Sequence, residues 1–179
     1  MRMNKKNNII LIGMPTSGKS TIGVVLAKKI GFDFIDTDLL IQKEENRLLS
    51  EIIEEEGIEA FLSIENRVNK NIQGEQSVIA PGGSVVYCQE AMEHFKKIGT
   101  IIYLEVPYYE IEKRLANAKN RGVVLKENQS LKDLYEERVP LFKRYANMII
   151  NEENLEISET IEEIIERLNI TEILRKSNR

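Results

Sequence analysis

The segment Gly13-Met14-Pro15-Thr16-Ser17-Gly18-Lys19-Ser20 matches G-x-x-x-x-G-K-[ST] in full and constrains the fold more than any other stretch of the chain. Residues 9–12 before it form an apolar, β-branched run, and residues 21–29 after it place Ile22, Val25 and Leu26 on one helix face. Strand, small-residue loop and helix in that order make a phosphate cradle. The loop N–H groups and the positive helix end face the anion, Lys19 adds a charge, and the Ser20 hydroxyl can ligand Mg²⁺. Gly13, Thr16, Ser17, Gly18, Lys19, Ser20 and Thr21 are therefore read as binding a nucleoside triphosphate. A bare glycine turn that binds nothing rarely falls between such a strand and such a helix.

The chain has the size of one domain, residues 1–179, and 42% hydrophobic residues are enough for a single core. Its net charge of −4 speaks against nucleic acid or anionic membrane as partner, so phosphates must be met by a local basic pocket. Cys88 is the only cysteine, which excludes an internal disulfide and a multi-thiolate metal site and suits a buried small residue. Behind the basic Met1–Lys6 stretch the apolar run covers only 9–12, whereas a signal peptide needs about 7–15 apolar residues and a spanning helix about 20. A cytoplasmic monomer is the expectation.

Apolar runs at 9–12, 32–35, 77–80, 100–106 and 147–150 alternate with helical spacing at 21–29, 39–45, 48–56, 59–71, 89–97, 108–118, 131–146 and 157–168. Continuous apolar strands such as Ile101-Ile102-Tyr103-Leu104 imply burial on both faces, hence a five-stranded parallel sheet covered by helices. Residues 117–130 are polar and interrupt that pattern, and residues 171–179 read as a flexible charged tail. A solvated loop would explain the polar insert; in a triphosphate enzyme, an insert bearing Arg121 is also placed to act as a lid that excludes water and stabilises the transferring charge.

Asp36-Thr37-Asp38 follows the second strand, and ligands of open α/β sheets bind outside the carboxyl ends of strands. Two acids one residue apart face different ways, so one can serve a Mg²⁺ shell while the other takes a proton from an attacking hydroxyl. A helix N-cap accounts for only one of them. Pro81-Gly82-Gly83-Ser84 projects from the same sheet edge after the third strand, as a tight turn that permits close ligand approach. His94, alone in a helix pattern, is given no role.

With Glu137-Arg138-Val139-Pro140-Leu141-Phe142 added, this constellation resembles the shikimate kinase family over roughly residues 8–168. The resemblance implies a three-layer P-loop fold of the nucleoside-monophosphate-kinase type with a lid, ATP and Mg²⁺ as cofactors, and phosphoryl transfer to a hydroxyl of a small metabolite, shikimate first among candidates. It implies that Lys19 and Ser20 contact phosphate and metal, that Asp36 supports the metal, and that Asp38 holds the acceptor hydroxyl as base. Gly82 and Gly83 would line the acceptor pocket, Arg121 would reach the phosphates, Arg138 would pair with the acceptor carboxylate, and Arg114 would lie along the adenine.

Three positions depart from the family pattern: Leu62 stands where F-R-x-x-E has its arginine, Ser84 where a third glycine is expected, and Gly122 where a proline is expected. Losing one of two charge-assisted contacts to a desolvated carboxylate costs on the order of 2–5 kcal/mol. Either another cation compensates, with Arg67 and Arg144 as candidates, or the acceptor is a less anionic hydroxylated metabolite. A nucleotide-dependent regulatory protein is a further alternative, against which the pair Asp36 and Asp38 speaks, since a pure sensor needs no base.

Overall fold

The structure, a computed structural model, describes residues 7–117 and 128–169. In chain order run β1 (Asn8–Ile12), α1 (Lys19–Ile30), β2 (Asp33–Asp36), α2 (Thr37–Glu45), α3 (Leu49–Lys70), β3 (Ser77–Ala80), a 3₁₀ turn (Val85–Tyr87), α4 (Gln89–Ile98), β4 (Gly99–Glu105), α5 (Tyr108–Asn117), α6 (Leu131–Tyr145), β5 (Met148–Asn151) and α7 (Ile157–Arg167). Five parallel strands are present, as the apolar runs predict, and they lie in the order β2-β3-β1-β4-β5. Most of the expected lid, with Arg121 and Gly122, and the tail 171–179 lie outside the described residues.

Alternate side chains of the central strands feed two cores, the pattern of a sheet covered on both faces. Ile10, Ile12, Ile101 and Tyr103 point into a core shared with Met92 and Phe95 of α4 and Phe142 of α6. Ile9, Leu11, Ile102 and Leu104 point the other way, onto Ile22, Leu26 and Ile30 of α1 and Ile161 and Ile164 of α7. A third cluster, Ile41, Ile52, Phe61 and Val68, joins α2 to α3 beside the sheet. Val25, expected on the apolar face of α1, is instead 44% exposed. The stripe of α1 follows i, i+4, i+8 through Ile22, Leu26 and Ile30, and Val25 falls beyond its margin.

The two helices expected at 48–56 and 59–71 are one element, α3, broken at Gly57 by φ 84° and ψ 173°. That backbone region is open essentially only to glycine. Ile52 from the first half and Phe61 and Val68 from the second join Ile41 of α2 in one cluster, and Asn66 and Lys70 of the second half also reach Glu90 of α4.

Asn8, buried at the start of β1, ties the sheet together at its amino end. Its amide donates to the carbonyls of Gly74 (2.8 Å) and Ile98 (3.1 Å), and its Oδ1 accepts from the Ser77 N–H (2.9 Å). Asn8→Ala strands these buried backbone groups and is expected to cost about 3 kcal/mol in equilibrium urea unfolding. A loss within about 0.5 kcal/mol of zero, the range of ordinary surface substitutions, would show that the ties are dispensable.

Candidate active site

The loop after β1 is drawn inward around a lysine. Gly18, at φ 94°, turns the chain into α1, a conformation L side chains rarely adopt. Lys19 is only 8% exposed, and its ammonium donates to the carbonyls of Met14 (2.8 Å) and Gly13 (3.0 Å) and to Ser17 Oγ (3.4 Å). A positive charge is thereby fixed within the curl of the loop, where an incoming phosphate also meets the first N–H groups of α1. Thr16 holds a left-handed φ of 64° and keeps a buried Oγ1 with no hydrogen bond among the described residues.

Asp36 performs two tasks that sequence reasoning treats as alternatives. Its Oδ1 caps α2, accepting from the N–H groups of Asp38 (3.1 Å) and Leu39 (3.3 Å), while its Oδ2 accepts from Ser20 Oγ at 2.9 Å. Capping holds the carboxylate still; the second oxygen faces the loop. A hydroxyl and a carboxylate oxygen in contact are the hard donors Mg²⁺ takes, with phosphate and water oxygens filling the remaining positions. Ser20 and Asp36 therefore fit that ion.

Asp38, two residues on, turns toward the Gly82-Gly83 turn. A Cβ on Gly82 would lie 3.0 Å from Asp38 Oδ1 and 2.6 Å from Glu65 Oε1, so glycine there leaves two carboxyl groups facing one small space. Glu65 is fully buried on α3, where its Oε2 accepts from Ser84 Oγ at 2.7 Å. Burial pushes its carboxyl up to about 7; the Ser84 bond and the Arg138 charge pull it down, and Asp38 pushes it up. Ser84, the departure from a third glycine, thus serves a buried acid.

Arg138 comes from the inner face of α6, which also buries Leu134, Phe142 and Tyr145. Only 2% of it is exposed, its Nε donates to the Tyr87 hydroxyl at 3.3 Å, and its guanidinium sits 5.2 Å from the centre of the Tyr87 ring. A Cβ on Gly83 would lie 3.2 Å from Arg138 Nη1, 3.0 Å from Pro15 Cδ and 3.2 Å from the Gly13 carbonyl. The glycine turn, the phosphate loop and the arginine thus meet at one point. Among the described residues Arg138 forms no ion pair. At the loop's far side Arg114 Nη1 donates to the Thr16 carbonyl at 3.3 Å, with Glu110 3.7 Å from its Nε.

Neither candidate for a compensating cation stands at this site. Arg67 is engaged on the surface by Glu44 (3.1 Å) and Glu45 (2.5 Å). Arg144 is exposed at the end of α6, its guanidinium 5.9 Å from the Tyr145 ring centre. Leu62 is half-buried against the clusters that flank α3. His94 is within 2.9 Å of the Ile72 carbonyl, a structural contact, and Cys88 is buried. Sequence reasoning missed Glu65 and Tyr87. A glutamate at i+4 from Phe61 and i−3 from Val68, on a helix face otherwise apolar, is the signal that would have found the first.

A family model described as shikimate kinase matches residues 15–169. The chain is 38% identical to the shikimate kinase of Thermodesulfovibrio yellowstonii over 161 residues, 88% of this chain and 92% of that one. It is 33% identical to that of Persephonella marina over 162 residues, 90% and 98% of the two chains. The fold superposes on the shikimate kinase of Acinetobacter baumannii, solved in complex with shikimate, with a TM-score of 0.81 at 29% identity, covering 94% of this chain and 96% of that chain.

Because the Glu65 carboxyl rises from 4.5 unfolded to about 7 folded, the native state holds the extra proton between those values. Its contribution is fully present below pH 4.5 and is lost as pH rises toward 7, on the order of 3 kcal/mol in all. The unfolding free energy of the native protein minus that of Glu65→Gln should therefore fall between pH 5 and about 8. A flat difference would contradict the assigned burial.

Proposed function

Since the chain belongs to the shikimate kinase family, we propose that it transfers the γ-phosphoryl group of ATP to the 3-hydroxyl of shikimate. The observation that carries the choice of acceptor is the buried Arg138 guanidinium without an ion pair among the described residues. A buried charge is costly unless an opposite charge meets it, and an acceptor carboxylate beside the Gly82-Gly83 turn supplies one.

Lys19 and the loop N–H groups hold the phosphates, Arg114 lies against the nucleotide side of the loop, and Arg121, outside the described residues, is proposed to act on the phosphates as part of a lid. Mg²⁺ held by Ser20, Asp36 and the nucleotide would neutralise charge on the β- and γ-phosphates. Asp38 orients the acceptor hydroxyl and takes its proton as that oxygen bonds to the γ-phosphorus and the bond to the ADP oxygen breaks. Gly82, Gly83 and Ser84 shape the acceptor space, and Leu62 bounds it with an apolar wall. A monomeric enzyme is part of the same proposal. No described helix is long and apolar enough to cross a membrane; ATP as phosphoryl donor supports a cytoplasmic setting.

The apolar Leu62 wall favours one rival, an uncharged polyol or sugar as acceptor. ADP release from Mg²⁺-ATP should rise strongly with shikimate and not with sugars or polyols; stimulation by a polyol alone would replace the acceptor. Asp38→Asn should lower kcat by about 10²–10⁴-fold with little change in the KM for ATP. Normal turnover in that variant would remove Asp38 as base.

A further inference from the structure

One chain of contacts around Arg138 is not used by the chemistry above. Tyr87 lies in the 3₁₀ turn that follows the glycine turn, with its ring under the guanidinium and its hydroxyl accepting from Arg138 Nε at 3.3 Å. The same hydroxyl donates to Glu137 Oε1 at 2.8 Å, and Glu137 Oε2 accepts from the Gln129 amide at 2.8 Å. A phenol has one proton and can give it in one direction only. With that proton committed to Glu137, the oxygen lone pairs are left to face Arg138 Nε, so the carboxylate fixes the polarity of the contact. Burial and the Glu137 carboxylate raise the Tyr87 phenol above its ordinary 10.0, against the opposing pull of Arg138, and it keeps its proton at neutral pH.

A guanidinium recognises a carboxylate through two parallel N–H groups in one plane, so its rotation about the side-chain axis decides whether both bonds form. Ring contact alone tolerates sliding and rotation, whereas the Nε bond fixes the plane. From these contacts we infer that Tyr87, oriented by Glu137, is a positioning residue that sets the plane of Arg138 for a carboxylate ligand. The inference rests on the reading of Arg138 as the acceptor's carboxylate receptor. It assigns acceptor affinity to two residues that need not touch the acceptor.

Tyr87→Phe keeps the ring and removes the hydroxyl. It should raise the KM for shikimate about five- to twentyfold, the scale of one lost hydrogen bond to a charged group, with the KM for ATP and the melting temperature unchanged. Glu137→Gln should raise the same KM less, and the double variant should be no worse than Tyr87→Phe, because both act through one hydroxyl. With the carboxamide analogue of shikimate as acceptor, Tyr87→Phe should cost nothing, since no carboxylate plane is left to match. An unchanged KM for shikimate in Tyr87→Phe, while Arg138→Lys raises it at least tenfold, would overturn the positioning role and leave the receptor reading intact. An unchanged KM in Arg138→Lys would overturn the receptor reading itself. Parallel rises in both KM values with a lowered melting temperature would reduce Tyr87 to a packing residue and also overturn the inference.

Discussion

The site depends on the parallel placement of β1 between β3 and β4, with β2 outside β3. Because parallel strands end on the same edge, that order delivers the phosphate loop, the Asp36-Asp38 pair and the Gly82-Gly83 turn to one crevice without any long-range adjustment. The sheet that sets this geometry is buried on both faces, and its amino edge is pinned by Asn8. Local chemistry then works at a rigid rim. Asp36 caps a helix and faces Ser20 in a single conformation, and Gly18 and Gly83 are spaces into which side chains would collide or strain.

Electrostatics divides the crevice in two. On the nucleotide side, Lys19 is held by loop oxygens and Arg114 leans on the Thr16 carbonyl. On the acceptor side a buried acid, a buried base and a half-buried carboxylate share a small volume: Glu65, Arg138 and Asp38. Burial raises the Glu65 carboxyl to about 7, so near neutral pH it is only partly ionised and does not cancel the charge of Arg138 as a fully ionised partner would. Ser84 donates to Glu65 Oε2 at 2.7 Å and so gives that acid a neutral partner. The apparent loss at Leu62 is thus set within a site that keeps a buried cation, Arg138, on its acceptor side.

The phosphate loop, the five parallel strands and the two aspartates were legible because each is carried by a few adjacent residues with distinctive chemistry, whereas the order of the strands is set by pairings between distant segments. Arg138 was legible only through the family resemblance; one arginine in a helix bears no local mark of burial. Glu65, Tyr87 and the role of Ser84 depend on contacts across 19 to 51 positions, which no local pattern encodes. Arg67 and Arg144 were plausible by charge alone, and acidic neighbours and the far end of α6 place them elsewhere. The Gly57 break shows the reverse case, in which separate helical patterns marked a real interruption inside one element.

The central claim is that one buried guanidinium recognises the carboxylate of the acceptor. Calorimetric titration of the native protein with shikimate and with its carboxamide tests it most directly. Removal of the acceptor's charge is predicted to weaken binding about a hundredfold, as expected for a charge-assisted pair in a desolvated site, and Arg138→Met should bind the two compounds alike. Equal binding of both compounds by the native protein would contradict the account.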